Sequence, residues 1–158
     1  GMYFDNVSHL TVKNVKMSGN IGDELIAKNV EKVTKISADI FKGTSIVSFR
    51  ELKFFKNIKE IHSNAFNGCS SLTSIEIPSS VTEIGSYAFN EFTNLTEVNI
   101  ADTVTVINES AFYGCTSLAN INLPDSLTSI DNQAFKGCTS LPQSIKNKIL
   151  EINPNCTF

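Results

Sequence analysis

Hydrophobic positions recur along the chain with a period of 23 residues. Four consecutive copies open with an isoleucine, at Ile61, Ile84, Ile107 and Ile130, and each isoleucine is followed at a constant offset by alanine and phenylalanine. The phenylalanines are Phe66, Phe89, Phe112 and Phe135, and the leucines that follow them are Leu72, Leu95, Leu118 and Leu141. A fixed period of this size indicates a solenoid, in which each short unit buries its apolar face by stacking on its neighbours.

Each copy predicts two short extended segments. The first, residues 72–77 and their equivalents, has the form L-x-x-L-x-L, and its second half alternates apolar and polar side chains as a half-buried strand does. Pro78 ends this segment because proline has no N–H for a strand ladder. The second extended segment, residues 81–84 and their equivalents, leads into a tight turn, Ala-Phe-x-Gly in most copies, that places the aromatic ring in the core. The phenylalanines from Phe41 to Phe135 should therefore stack as an internal ladder.

The whole chain, residues 1–158, is predicted to be a single solenoid. Residues 33–141 hold the repeats, with a degenerate copy first and a longer stretch between Leu52 and Ile58. Residues 1–32 match the pattern poorly and are expected to form an N-terminal cap or a degenerate repeat. In residues 142–158 the apolar spacing changes to that of a short amphipathic helix beginning near Pro142, which is suited to a C-terminal cap.

The charge and hydropathy of the chain argue against nucleic-acid binding and against a membrane span. The formal net charge is −3 and the basic residues are scattered, so the chain lacks the basic face that nucleic-acid binding requires and no nucleic-acid partner is predicted. No segment approaches the roughly 18 apolar residues of a membrane span. No signal-peptide pattern opens the sequence.

The cysteines occupy a position that also accepts an aromatic ring. Cys69, Cys115 and Cys138 share one repeat position, and Phe92 fills it in the second copy. Phenylalanine can neither bind a metal nor form a disulfide, so the position is predicted to be apolar and the thiols to be buried and reduced. Cys115 and Cys138 are one coil apart, at a distance where a bridge is conceivable. Cys156 has no evident partner.

Residues on either side of the central apolar position in the first strand should point away from the core, because side chains alternate faces along a strand. They form two polar columns, the first with Ser48, Ser74, Glu97 and Asn120, the second with Arg50, Glu76, Asn99 and Asn122. Solenoids bind extended partners through such columns on the concave sheet, which makes these eight residues the candidate ligand-binding site. The alternative is an ordinary solvated sheet face.

Candidate catalytic and metal-binding residues are sparse. His62 precedes Cys69 by seven residues, but Cys69 lies in the apolar position and a catalytic thiol needs exposure and positive surroundings. Asp102 and Asp125 stack one coil apart and could attract calcium, although aspartates here commonly form turns. The sequence predicts no enzyme, no cofactor and no metal site.

The repeated phrase reads A-F-x-G-C-S/T-S-L-x-x-I-x-I/L-P-x-S-V/L-T-x-I. It resembles the leucine-rich repeats of the BspA-like class, also called the Treponema pallidum type, over residues 33–141. Glu91, Phe92 and Ala101 depart from the phrase within the class's usual tolerance. The resemblance implies a leucine-rich-repeat coil stack, mainly β with tight turns or short helical turns and with atypical caps.

The same resemblance implies a cell-surface or secreted protein that adheres to host matrix proteins or cells without catalysis. It brings no universal set of binding residues. The leading hypothesis is therefore a protein-binding module. The alternative is a structural spacer or scaffold within a longer protein, with no ligand on the repeats.

Overall fold

The computed structural model of the protein describes residues 3–4, 26–27, 52, 55–66 and 69–158. In these residues the chain forms nine short strands and one helix. The strands are β1 (Tyr3–Phe4), β2 (Ile26–Ala27), β3 (Glu60–Ile61), β4 (Ser74–Glu76), β5 (Glu83–Ile84), β6 (Glu97–Asn99), β7 (Val106–Ile107), β8 (Asn120–Ile121) and β9 (Ser129–Ile130), and the helix is α1 (Gln143–Ile152). The degenerate copy before residue 52 lies outside the described residues, as do Phe41, Ser48 and Arg50.

Equivalent strands of successive coils pair with one another and form parallel sheets. The main sheet has the order β4-β6-β8, the second sheet has the order β3-β5-β7-β9, and β1 pairs with β2. In the main sheet Ile75 lies opposite Val98, and Val98 lies opposite Ile121, so each strand pairs with the strand 23 residues later. The same offset joins Tyr3 to Ile26. This architecture confirms the predicted solenoid, because one repeat period equals one turn of the coil.

A column of phenylalanine rings runs through the core. The ring centroids of Phe66 and Phe89 are 5.4 Å apart, and those of Phe89 and Phe112 and of Phe112 and Phe135 are 5.3 Å apart, all in stacked geometry. Phe92 meets Phe89 edge to face at 5.7 Å. All five rings are buried. The predicted ladder is confirmed over these four coils, and Phe92 adds a side contact from the position that holds cysteine elsewhere.

Two turn positions of the repeat have left-handed backbone, each in three of the described coils. The first holds Asn64, Tyr87 and Ser110, with φ between 52° and 60°. The second holds Gly114 at φ 70°, Gly137 at φ 82° and Glu91 at φ 61°. A side chain in this region is strained, whereas glycine adopts it freely. Glu91 is therefore a strained substitution for the glycine of the repeat.

Hydroxyl groups join neighbouring coils at the edge of the second sheet. Thr105 Oγ1 donates to the carbonyl oxygen of Thr82 at 3.2 Å, and Thr128 Oγ1 donates to that of Thr105 at 3.1 Å. Inside the coils, Ser80 Oγ donates to the carbonyl oxygen of Phe55 at 2.7 Å. Thr82 and Thr105 directly precede β5 and β7, and their carbonyl groups also accept backbone N–H groups of the next coil, so the threonine hydroxyls add a second hydrogen bond between coils.

The atypical stretch between Leu52 and Ile58 contributes to the core. Leu52, Phe55 and Ile58 are fully buried, and the N–H of Phe55 donates to the carbonyl oxygen of Leu52 at 3.0 Å. The extra length therefore supplies packing at this end of the described repeats.

The helix α1 confirms the predicted C-terminal helix. It follows Pro142 directly, and its buried residue Ile149 belongs to the same core as the coils. After the helix the chain returns to the last coil. Asn153 Nδ2 donates to the carbonyl oxygen of Ile130 at 2.7 Å, and the N–H of Thr157 donates to that of Asn132 at 2.8 Å.

Candidate interaction surface

The exposed side of the main sheet carries the polar residues that the alternating pattern predicts there. The side chains of Ile75 in β4, Val98 in β6 and Ile121 in β8 are buried in the core. The residues beside them form what is called here the main-sheet face, consisting of Ser74, Glu76, Glu97, Asn99, Asn120 and Asn122. All are exposed except Ser74, which is half-buried.

Strand register places these residues in two rows. Ser74 lies opposite Glu97, and Glu97 lies opposite Asn120. Glu76 lies opposite Asn99 in the second row. Adjacent strands are about 4.8 Å apart, so the first row crosses the three strands over about 10 Å, and the second row continues from Asn99 to Asn122 just beyond β8. Side chains so placed can contact one extended partner at the same time.

Asn122 has a structural role that its position in the sequence does not reveal. Its Oδ1 accepts from the N–H of Ile100 at 2.6 Å, and its Nδ2 donates to the carbonyl oxygen of Ile100 at 2.6 Å. The side-chain amide thus takes the place of a backbone strand partner just beyond the end of β8. Asn122 is exposed, as the alternating pattern predicts, and both ends of its amide also bind the neighbouring coil.

The two glutamates of the main-sheet face, Glu76 and Glu97, do not bond through their side chains to a neighbouring coil among the described residues. Neither Glu76 nor Glu97 makes an ion pair or side-chain hydrogen bond with the described residues, in contrast to Glu83, which accepts from Asn108 Nδ2 at 2.6 Å. Glu76 and Glu97 lie on adjacent strands and point to the same side. Their carboxylates are therefore available to a partner.

An open groove of about 470 Å³ lies where the main sheet meets the start of α1. The sheet contributes Glu97, Asn99, Asn120 and Asn122, and the helical segment contributes Ser144 and Ile145. The sequence indicates the helix but not its contribution to this surface, because the 23-residue pattern stops before Pro142. The amphipathic spacing predicts a buried helical face without specifying which sheet edge it approaches.

The thiols are buried and reduced, as predicted for Cys69, Cys115 and Cys138. The Cys115 thiol donates to the carbonyl oxygen of Phe89 at 3.2 Å, and the Cys138 thiol donates to that of Phe112 at 3.0 Å. Burial raises the pKa of Cys115 well above its usual value, and the adjacent Cys138 adds to the effect. These thiols pack and bond to carbonyls in the core.

Cys156 also has a place in the structure. It is buried, and its thiol contacts the carbonyl oxygen of Asp131 at 3.6 Å. Burial raises its pKa, and hydrogen bonds from the backbone of Phe135 and Thr157 act in the opposite direction. Cys156 thus helps to attach the C-terminal residues to the last coil.

Two pairs of titratable groups lie outside the main-sheet face. His62 Nδ1 lies 3.4 Å from Glu60 Oε1, while Cys69 is fully buried. The Tyr87 hydroxyl donates to Glu109 Oε1 at 2.9 Å, and this bond raises the pKa of Tyr87 because the phenolate would face a carboxylate.

Across the described part of the chain, no three acidic, histidine or cysteine side chains gather as metal ligands. Within the same residues, no helix has the length and apolar character needed to cross a membrane.

Comparison with known proteins identifies the fold class first. Parallel coils with this strand order define a leucine-rich-repeat solenoid. The model of the BspA-type leucine-rich repeat region matches residues 27–157 with six copies. The chain therefore belongs to the BspA-type leucine-rich repeat family, and the match includes the C-terminal residues that return to the last coil. Repeats of this kind are generally non-enzymatic and typically mediate protein interactions.

Three solved structures are similar. A leucine-rich repeat protein from Bacteroides ovatus has 26% identity and a TM-score of 0.54, over 85% of this chain and 44% of that one. The T. pallidum leucine-rich repeat protein has 20% identity and a TM-score of 0.52, over 85% of this chain and 86% of that one. A leucine-rich cell surface protein from Faecalibacterium prausnitzii has 39% identity and a TM-score of 0.48, over 54% of this chain and 24% of that one. No curated protein sequence matches the chain significantly.

Proposed function

We propose that this chain is the protein-binding part of a cell-surface or secreted protein, and that it attaches to host matrix or cell-surface proteins through the main-sheet face. The observation that supports this proposal most directly is the pair of in-register polar rows beside an open groove. Membership of a family whose repeats typically mediate protein interactions supports the binding role. The proposed surface location rests on the resemblance to BspA-like proteins.

The rows suit recognition because the sheet beneath them is rigid. Each strand of the main sheet is held by its neighbours and by buried Ile75, Val98 or Ile121, so the outward side chains keep a fixed spacing. A partner that matches this spacing binds without ordering the surface first, which lowers the entropic cost of association. Glu97, Asn99 and Asn120 can meet such a partner without disturbing the core.

The test compares wild type with the triple variant Glu97→Ala/Asn99→Ala/Asn120→Ala for binding to individually immobilised matrix proteins and to intact host cells. Asn122 stays unchanged because its amide supports Ile100. We expect at least a tenfold loss of affinity in surface plasmon resonance, with the free energy of unfolding changed by about 0.5 kcal/mol or less per site.

The matched control replaces three exposed residues on the helix, in Asn147→Ala/Lys148→Ala/Glu151→Ala. This variant should keep the wild-type affinity. A folded main-sheet variant that binds an identified partner as well as wild type would reject the main-sheet face as the site.

A spacer is the second candidate function. Asn122 favours it, because an outward polar residue there bonds to the neighbouring coil instead of remaining available. On the second sheet, the hydroxyls of Thr105 and Thr128 likewise bond to the neighbouring coil. For a spacer, adhesion by the whole protein should survive the triple substitution and should change when one 23-residue copy is added or deleted.

A further inference from the structure

We propose that the main-sheet face selects a basic, extended polypeptide segment whose cationic side chains are two residues apart. This inference rests on the proposed function and specifies the chemistry of the partner. The charges on the face, their spacing and the groove beside them support it.

The charge of the face has one sign. Glu76 and Glu97 are exposed carboxylates without an ion pair in the described part of the chain, and no lysine or arginine lies in β4, β6 or β8. The side chains lining the groove include Glu97 and no cation. A partner that places lysine or arginine here is attracted and pairs both carboxylates, whereas an acidic partner is repelled.

The spacing of the two glutamates favours an extended backbone. They are one strand apart across the sheet and two residues apart along it, because Glu97 lies opposite Ser74 while Glu76 is two residues beyond Ser74. With strands about 4.8 Å apart and a rise of about 3.3 Å per residue, the two Cα atoms are about 8 Å apart. In an extended segment, side chains at i and i+2 face the same side about 7 Å apart, so each cation can reach one glutamate.

Amides complete the recognition. Asn99 and Asn120 are exposed beside Glu97, and each carries a donor and an acceptor for the backbone of a segment lying in the groove. The groove volume of about 470 Å³ is sufficient for a few residues of an extended chain. A compact polyamine would satisfy the charges but would leave the amides unused.

The probes are two blocked peptides of the same composition, Ser-Arg-Ser-Arg-Ser and Ser-Arg-Arg-Ser-Ser. Each is titrated into the ¹⁵N-labelled full chain at about 20 mM salt, where screening is weak, and spermidine serves as a cation without peptide groups. We expect shifts at the amides of β4, β6 and β8. The alternating peptide should bind at least threefold more tightly than the adjacent-arginine peptide or spermidine.

Charge-removing variants test the two glutamates. Glu76→Gln/Glu97→Gln should raise the dissociation constant of the alternating peptide five- to tenfold, which is the contribution of two exposed ion pairs. The matched control, Asp102→Asn/Asp125→Asn, removes the same charge from exposed turns and should change it by less than twofold. Equal losses in both variants, equal binding of all three probes, shifts elsewhere or no binding would each overturn the inference.

The proposed function can fail separately. If an identified partner loses affinity with the alanine triple variant while the peptide results are negative, the main-sheet face binds proteins but does not select basic segments. If the peptide results are positive and no matrix or cell-surface protein binds, the basic-segment preference remains and the adhesive role is rejected.

Discussion

At the scale of single residues, Glu91 shows how the repeat tolerates a strained position. The equivalent residues Gly114 and Gly137 take their left-handed φ freely, whereas Glu91 holds φ 61° with a side chain. Glu91→Gly should therefore stabilise the protein by about 0.5 to 1.5 kcal/mol, the relief of strain being partly offset by the greater entropy of unfolded glycine. Urea unfolding checks this. Glu91→Ala keeps a side chain at the strained φ, so it should raise the free energy of unfolding little. If Glu91→Ala stabilises the protein as much as Glu91→Gly does, the effect comes from removing the charge and not from relieving strain.

The ring ladder supplies a second prediction at this scale. Phe112 is fully buried between Phe89 and Phe135, with both centroids 5.3 Å away. Phe112→Ala should lower the free energy of unfolding by about 3 to 5 kcal/mol, because it leaves a cavity between two coils. Phe112→Leu, which fills most of the space left by the ring, should lower the free energy of unfolding clearly less. A loss below about 1 kcal/mol for the alanine variant in urea titration would contradict a packed ladder.

At the scale of elements, α1 depends on its packing against the coils. No side chain caps its N-terminus, and neither its first nor its last turn carries a charge that favours the helix dipole. Ile149 is fully buried, so Ile149→Ala should lower the free energy of unfolding by about 2 to 4 kcal/mol and weaken the helical circular dichroism signal. Lys148→Ala, at an exposed neighbour, should stay within about 0.5 kcal/mol. Equal effects of the two variants would mean that the helix is not held by the core.

At the scale of the whole molecule, the thiols report on each coil separately. In a solenoid each repeat contacts only its neighbours, so damage should stay local. Native alkylation should be slow at Cys69, Cys115 and Cys138, since all three are buried. Phe135→Ala should accelerate alkylation at Cys138 more than at Cys69, which iodoacetamide labelling with peptide mass mapping can measure. Equal acceleration at both sites would indicate that the coils open as one unit.

The 23-residue pattern predicted the strand register as well as the fold. Because parallel strands stack one coil apart, equivalent residues must lie side by side, and Ile75, Val98 and Ile121 do so. The position shared by Phe92 and three cysteines correctly predicted burial, since only a buried apolar site suits both side chains. The bond between Asn122 and Ile100 could not be predicted from the pattern, because it depends on where β8 ends.

By itself, the sequence determined which side chains enter the core, which leave it and how far apart the coils pair. These properties follow from short-range alternation and from a constant repeat length. Only the tertiary structure decided that α1 borders a groove beside β8, that Asn122 bonds to Ile100 and that Cys156 packs against the last coil. The helix α1 and Cys156 lie outside the 23-residue pattern, and the Asn122 bond depends on where β8 ends, so all three features are set by packing between segments.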